Sequence, residues 1–410
     1  MGTDVKRRTS ELILGQLVGQ IALVAAIPFL TRLMPQAEMG IYQAGFSIAL
    51  IVQPLATLRK ELLIPVASTT DGSQHRRRAL LLSALFAVVA GALIGPGIWV
   101  VFDGIVGQTL IAGGIILFSV ALLAIENAYL IRLGQYRRLA IRNLTAGVFA
   151  AALQVIAAQL IPTAIAVATA LLVARLCATA LTIARKPLLS EKYGGGERAS
   201  QRSASAVVSA MVAAASSQAV VVGSFWTLGP AAAAQIGVGQ RIAGAPTSLI
   251  GQALSQVALG AASPLIRERR AGLRALLVAQ TIKTGAAASV TALALILLAP
   301  ILAEPILGPG WHEAGVLTAI FAVPLSLQLV ALPSTTLLVP LGRERQLLVL
   351  QITRLTAIAI ALVSGSLLSG DLYLTCILTS VTWSLAYAPL LAASFVAATR
   401  HDQSAIGNND

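Results

Sequence analysis

Apolar runs of about twenty residues, separated by short polar connections, recur along the whole chain. A run of that length spans the hydrocarbon core of a bilayer as a helix. The pattern predicts spans near 11–31, 41–67, 80–102, 110–131, 143–161 and 164–184. A second set lies near 205–226, 235–262, 275–303, 316–340, 348–368 and 372–396. The expected fold class is an all-α polytopic membrane protein with about twelve transmembrane helices. The longest polar stretch, Arg185 to Ser203 with Gly194-Gly195-Gly196, falls near the midpoint. It divides the chain into an N-terminal six-helix bundle at 1–190, a cytoplasmic linker at 191–204, and a C-terminal six-helix bundle at 205–410 with a short cytoplasmic tail.

Short segments repeat at equivalent points of the two halves. Arg78-Ala79-Leu80-Leu81 opens the third span and Arg274-Ala275-Leu276-Leu277 the ninth. Leu133-Gly134-Gln135-Tyr136-Arg137-Arg138-Leu139 follows the fourth, and Leu341-Gly342-Arg343-Glu344-Arg345-Gln346-Leu347 follows the tenth. Six spans per half is an even number, so the halves would be parallel repeats with the substrate path between them.

Composition agrees with this reading. The chain is 57% hydrophobic and 11% charged, whereas a soluble domain needs about 25% charged residues to cover its surface. Lys6-Arg7-Arg8 before the run Leu12–Leu30 has the look of a signal n-region. The run carries no A-x-A cleavage site, so it reads as the first retained span. A net charge of +13 would suggest a nucleic-acid partner in a soluble protein. Here the basic residues instead mark one side of the membrane, and no nucleic acid is expected. With the N-terminus inside, the connections on that side hold 22 of the 29 Lys plus Arg, while the other side holds only Arg32. Basic residues near span ends resist translocation and meet anionic lipid. Both termini are therefore expected in the cytoplasm of a bacterial cytoplasmic (inner) membrane.

Several chemistries find no support. Cys177 and Cys376 fall inside spans, and His75, His312 and His401 all fall in connections, so no disulfide, metal site or cofactor is expected. The acidic residues of the outer connections (Glu38, Asp103, Glu304, Glu313, Asp371) are scattered, and no phosphate-cradling G-x-x-x-x-G-K-[ST] motif occurs. A transporter fits better than a membrane polymerase or glycosyltransferase.

Charge within the spans is the candidate chemistry. Arg59, Lys60, Arg175, Arg241, Lys283 and Arg354 fall there, opposed only by Glu61 and Glu126. Each such charge costs about 2.5–3.5 kcal/mol at the bilayer centre, so it faces a cavity, finds a partner or snorkels. Arg241, Ala245, Ser248, Gln252 and Ser255 share one helical face, as do Gln53, Thr57, Lys60 and Glu61. Arg59 points away from the latter stripe. Arg175 lies mid-span, where its side chain does not easily reach water, whereas Lys283 and Arg354 lie near an edge and would snorkel. Arg175, Arg241, Gln252, Lys60 and Arg59 are the candidate substrate-binding residues. Glu61 and Glu126 are candidates for ion coupling, or for neutralising a neighbouring cation.

Thr31-Arg32-Leu33-Met34-Pro35 with Glu38, Gly40 and Tyr42 resembles the first outer loop of polysaccharide-biosynthesis flippases. Pro54-Leu55-Ala56-Thr57-Leu58-Arg59-Lys60-Glu61-Leu62 resembles their second-span motif, with Lys60 where that family more often has an aromatic. Gly308-Pro309-Gly310-Trp311-His312-Glu313-Ala314-Gly315 and Leu341-Gly342-Arg343 resemble the connections that flank their tenth span. These proteins, which include the O-antigen flippases, belong to the multidrug/oligosaccharidyl-lipid/polysaccharide (MOP) exporter superfamily. The resemblance implies two six-helix bundles and alternating-access export of a polyprenyl-pyrophosphate-linked oligosaccharide. Membrane lipids and the polymerase or glycosyltransferases of the same pathway would be its partners. A multidrug exporter of the same superfamily is the competing reading, but cationic drugs favour acidic cavities.

Overall fold

The computed structural model describes residues 2–65, 69–101, 104–182, 203–268, 270–338 and 340–406. All its regular elements are helices: α1 (Gly2–Leu33), α2 (Gln36–Thr57), α3 (Lys60–Leu63), α4 (Thr69–Val88), α5 (Gly95–Val101), α6 (Gly104–Arg132), α7 (Tyr136–Leu160) and α8 (Ala164–Leu181). Then follow α9 (Ser203–Thr227), α10 (Pro230–Arg267), α11 (Leu273–Leu307), α12 (His312–Thr336), α13 (Glu344–Ser369), α14 (Leu372–Leu385) and α15 (Tyr387–Ile406). A π-helical stretch, Val89–Ile94, joins α4 to α5, and α14 leads directly into α15. Grouped this way, and with the four-residue α3 set aside, the elements correspond approximately to the twelve expected spans. Among the described residues ten helices are long and apolar enough to cross a membrane.

Packing divides the chain into two compact units, Met1–Ala234 and Gln235–Asp410. Helix α9, the seventh span, belongs to the first unit, where Ser47 Oγ on α2 donates to Gln218 Oε1 at 2.9 Å. This division by packing lies beyond the 191–204 segment, most of which falls outside the described residues.

Lipid tails are as apolar as leucine, so helices in a bilayer associate through close backbone approach at small residues. In the first unit α1 lies on α7 with Gly19 and Gly147 backbone to backbone; a Cβ on either would overlap the other helix's main chain. In the second unit Gly315 of α12 lets α11 approach at Ala299.

The turns explain the recurring Leu-Gly segments. Gly134 (φ 65°) and Gly342 (φ 73°) both occupy the left-handed region. Gln135 N donates to Leu130 O at 3.0 Å, and Arg343 N to Leu338 O at 2.9 Å. Each is the long bond of a Schellman turn, in which glycine carries no Cβ penalty.

The second span ends differently. Leu58 (φ 49°) and Arg59 (φ 53°) are consecutive non-glycine residues in the left-handed region, and the same turn closes there with Arg59 N on Pro54 O at 3.2 Å. Left-handed backbone costs about 1–2 kcal/mol for such a residue. The span therefore stops at Thr57, and the stripe expected through Gln53, Thr57, Lys60 and Glu61 does not continue across the break.

Candidate functional site

Among the described residues, the densest cluster of buried charge lies at the arginine-rich end of the first unit. Glu126, near the end of α6, is 3% exposed. Its Oε1 accepts from Arg76 Nε of α4 at 2.6 Å, and its Oε2 faces Arg142 Nη1 of α7 at 3.8 Å. Arg142 is fully buried. Its Nε donates to Thr182 Oγ1 and its Nη2 to Thr182 O, each at 2.8 Å, so it also holds the C-terminus of α8. The Arg76 guanidinium stands 4.8 Å over the Tyr129 ring. One carboxylate and two arginines thus tie together α4, α6, α7 and α8. A planar guanidinium suits this role because its fork serves several acceptors at once.

A second polar contact lies deeper on the same two helices. Ser119 precedes Glu126 by seven residues on α6, and Arg175 precedes Thr182 by seven along the chain from α8. Seven residues are two turns, about 10 Å. Arg175 is buried there, with Nη1 donating to Ser119 Oγ at 3.3 Å. The first unit therefore carries buried arginines at two depths along α6 and α8, with Glu126 at one of them.

Next to this cluster is the break after α2. Arg59 Nε lies 4.0 Å from Glu61 Oε1. Buried Glu61 Oε2 accepts no hydrogen bond among the described residues. Lys60 lies past the end of the span; burial, and then the charge of Arg78, push its ammonium below the ordinary lysine value. Arg132 Nη1 donates to Ile64 O at 2.9 Å and so fastens the end of α3 to α6.

Arg59, Lys60, Glu61, Glu126 and Arg175 thus all belong to the first unit. Arg241 and Gln252 lie on the part of α10 within the second. Arg241 is half-buried, and the side chain of Gln252 lies outside the described residues. The second unit has its own buried cation. Arg354 is 9% exposed and stands 5.4 Å over the Tyr387 ring, whose hydroxyl accepts from Trp383 Nε1 at 3.1 Å. This corrects the expectation of snorkelling: an aromatic ring on a neighbouring helix offers the guanidinium a nearer partner than water. Lys283 is exposed on its helix.

Arg142 falls one residue before the expected span 143–161, yet it lies within α7 and is buried. Its signal was present in helical phase: Arg142, Ala146, Ala150, Gln154 and Ala158 recur every fourth residue, and all are buried. The histidines expected in connections stand on helices, His75 on α4, His312 at the start of α12 and His401 on α15.

The helices long and apolar enough to cross a membrane define a multi-pass membrane protein, and its fold is that of the MOP-superfamily transporters. Similar solved structures include the lipid II flippase MurJ in an inward closed conformation (TM-score 0.64, 12% identity, 97% of this chain and 90% of that one). An inward-facing multidrug resistance MATE family transporter of the MOP superfamily aligns with TM-score 0.62 and 15% identity over 96% of each chain. A MOP superfamily transporter from Pyrococcus furiosus Vc1, described as having a binding pocket of reverse polarity, aligns with TM-score 0.57 and 15% identity over 99% and 97%. No curated protein gives a significant sequence match. Residues 81–316 match the family described as polysaccharide biosynthesis protein, and the chain belongs to that family.

Proposed function

We propose that the protein is a flippase, not an enzyme, and that it moves a polyprenyl-pyrophosphate-linked oligosaccharide across the bacterial cytoplasmic membrane by alternating access. The observation that carries this reading is the excess of positive charge around Glu126 in the first unit. Arg76 and Arg142 both meet that carboxylate, and Arg175 adds a third guanidinium two turns deeper. A pyrophosphate crossing hydrocarbon needs fixed positive charge, and guanidinium groups match phosphate geometry. Arg175, at the deeper level, is the foremost substrate contact, with Arg241 its counterpart in the second unit. Arg59 and Lys60 at the break, and Gln252 on α10, complete the proposed set. A drug exporter for cations would need acidic groups to spare, and Glu126 already faces two arginines.

Ion coupling is assigned first to Glu61, because one buried oxygen accepts no hydrogen bond among the described residues. Glu126 is assigned to neutralisation instead, a reading supported by its contacts with Arg76 and Arg142.

The test is complementation of a polysaccharide-deficient strain, with membrane abundance measured alongside. Arg175→Gln with Arg241→Gln should lower surface polysaccharide at least tenfold at unchanged abundance, and Lys at both positions should restore part of it. Full polysaccharide from the well-expressed Gln double variant would end the assignment. In the same strain Glu61→Gln should lose its dependence on the membrane ion gradient and Glu126→Gln should keep it; the opposite pattern would exchange their roles.

The orientation is proposed from the basic asymmetry: both termini and Arg343 in the cytoplasm, Trp311 outside. A cysteine placed at Gly310 should label with an impermeant reagent added from outside, and one at Glu344 should not. Reversed labelling would invert the topology.

A further inference from the structure

At the arginine-rich end of the second unit a groove of about 390 Å³ opens between α11 and α15. Arg274 of α11 and Arg400 of α15 line it from opposite walls, with Thr399 and Gln403 beside them and Val278 and Val396 below. Both arginines are exposed. The nearby carboxylate, Asp402, is already engaged. Its Oδ1 accepts from Gly272 N at 3.1 Å and Leu273 N at 3.0 Å, and its Oδ2 from Arg274 N at 3.0 Å, which caps α11.

The floor of the groove continues into an apolar face. From Val278 the exposed side chains of α11 run through Ile282 (67% exposed), Val290, Leu293, Leu297 and Ile301. Only 11% of the most apolar window of this helix is buried inside the protein. Such a face in a membrane protein is covered by acyl chains. A site with two guanidinium groups at a helix end, opening onto that face, has the amphipathic pattern of an anionic lipid: phosphate at the basic end, hydrocarbon along the helix.

We propose that this groove is a binding site for an anionic glycerophospholipid of the bilayer, held by Arg274 and Arg400 at its phosphate and by Val278 and Val396 at its acyl chain. The site is separate from the proposed substrate contacts and does not depend on the substrate's identity.

Native mass spectrometry of the full-length purified protein, with phosphatidylglycerol or phosphatidylcholine added in detergent, tests this. The wild type should retain phosphatidylglycerol about tenfold more strongly than phosphatidylcholine. Arg274→Gln with Arg400→Gln should bring the two near parity. Arg77→Gln with Arg78→Gln, which removes the same charge from exposed positions of the first unit, should leave the preference unchanged. Val396→Asp should weaken phosphatidylglycerol retention although both arginines remain. Melting temperatures within a degree or two of wild type would confirm that each variant is folded. Equal preference in wild type and the Arg274/Arg400 variant would overturn the proposal. So would displacement of the lipid by an equal concentration of soluble glycerol phosphate, which would make the groove a phosphate site without lipid character.

Discussion

Replacing Arg142 by alanine should destabilise the first unit by about 3–5 kcal/mol, the usual cost of removing one partner from a buried ion pair. The substitution withdraws a fully buried guanidinium from Glu126 and from both oxygens of Thr182. Glu126 keeps Arg76 but loses charge on its other side, and the C-terminus of α8 loses its donors. Lysine should recover only part of the loss, because an ammonium cannot span the same acceptors. The informative comparison is Arg142→Met with Glu126→Met, which removes both charges. Buried pairs replaced together by apolar groups are often neutral, and Arg76, partly exposed, can turn to water. Thermal melts of detergent-purified protein should therefore place the double methionine variant above Arg142→Ala. If Arg142→Ala melts with the wild type, the cluster does not hold the helices together.

The second large effect is steric. Gly147→Val should force α1 and α7 apart, because a Cβ at that position overlaps the Gly19 backbone. Overpacking costs about 1–3 kcal/mol and occasionally more, and losses of that size change cellular abundance several-fold. Quantitative immunoblotting of membranes should show that drop, whereas Ala152→Val, at an exposed position of the same helix, should be milder. Equal abundance of Gly147→Val and wild type would mean that the α1–α7 approach is not required for assembly.

The contrast between these two predictions shows what was legible in the sequence. The spans were readable because the bilayer dictates a length and an apolar composition that few other constraints imitate. The Leu-Gly segments were readable as a repeat after the fourth and tenth spans, and the structure makes both of them turns whose left-handed position only glycine takes cheaply. The break at Leu58–Arg59 was not readable, since neither residue is a turn former and the surrounding run stays apolar and helix-compatible. Arg142 was missed because hydropathy starts a span after its last charge; the four-residue spacing of small residues behind it was the better guide. The pairing of α9 with α2 left no signal in hydropathy, because in lipid the choice of partner depends on small residues and a few polar contacts such as Ser47–Gln218. Of the candidate site, Arg175 and Glu126 were legible as charges without an easy route to water. Their partners Ser119 and Thr182 were not, since serine and threonine are common in spans for packing alone.

Asp402 also places a constraint on the order of events during synthesis. It caps the start of α11 from 128 to 130 residues further along the chain. At about 5–20 residues per second a ribosome needs roughly 6–26 s to cover that interval. Throughout it, the first amide groups of α11 have no carboxylate to receive them and must be met by water or lipid headgroups. The ninth span thus enters the bilayer unfinished at one end, and its closure waits until synthesis has passed Asp402.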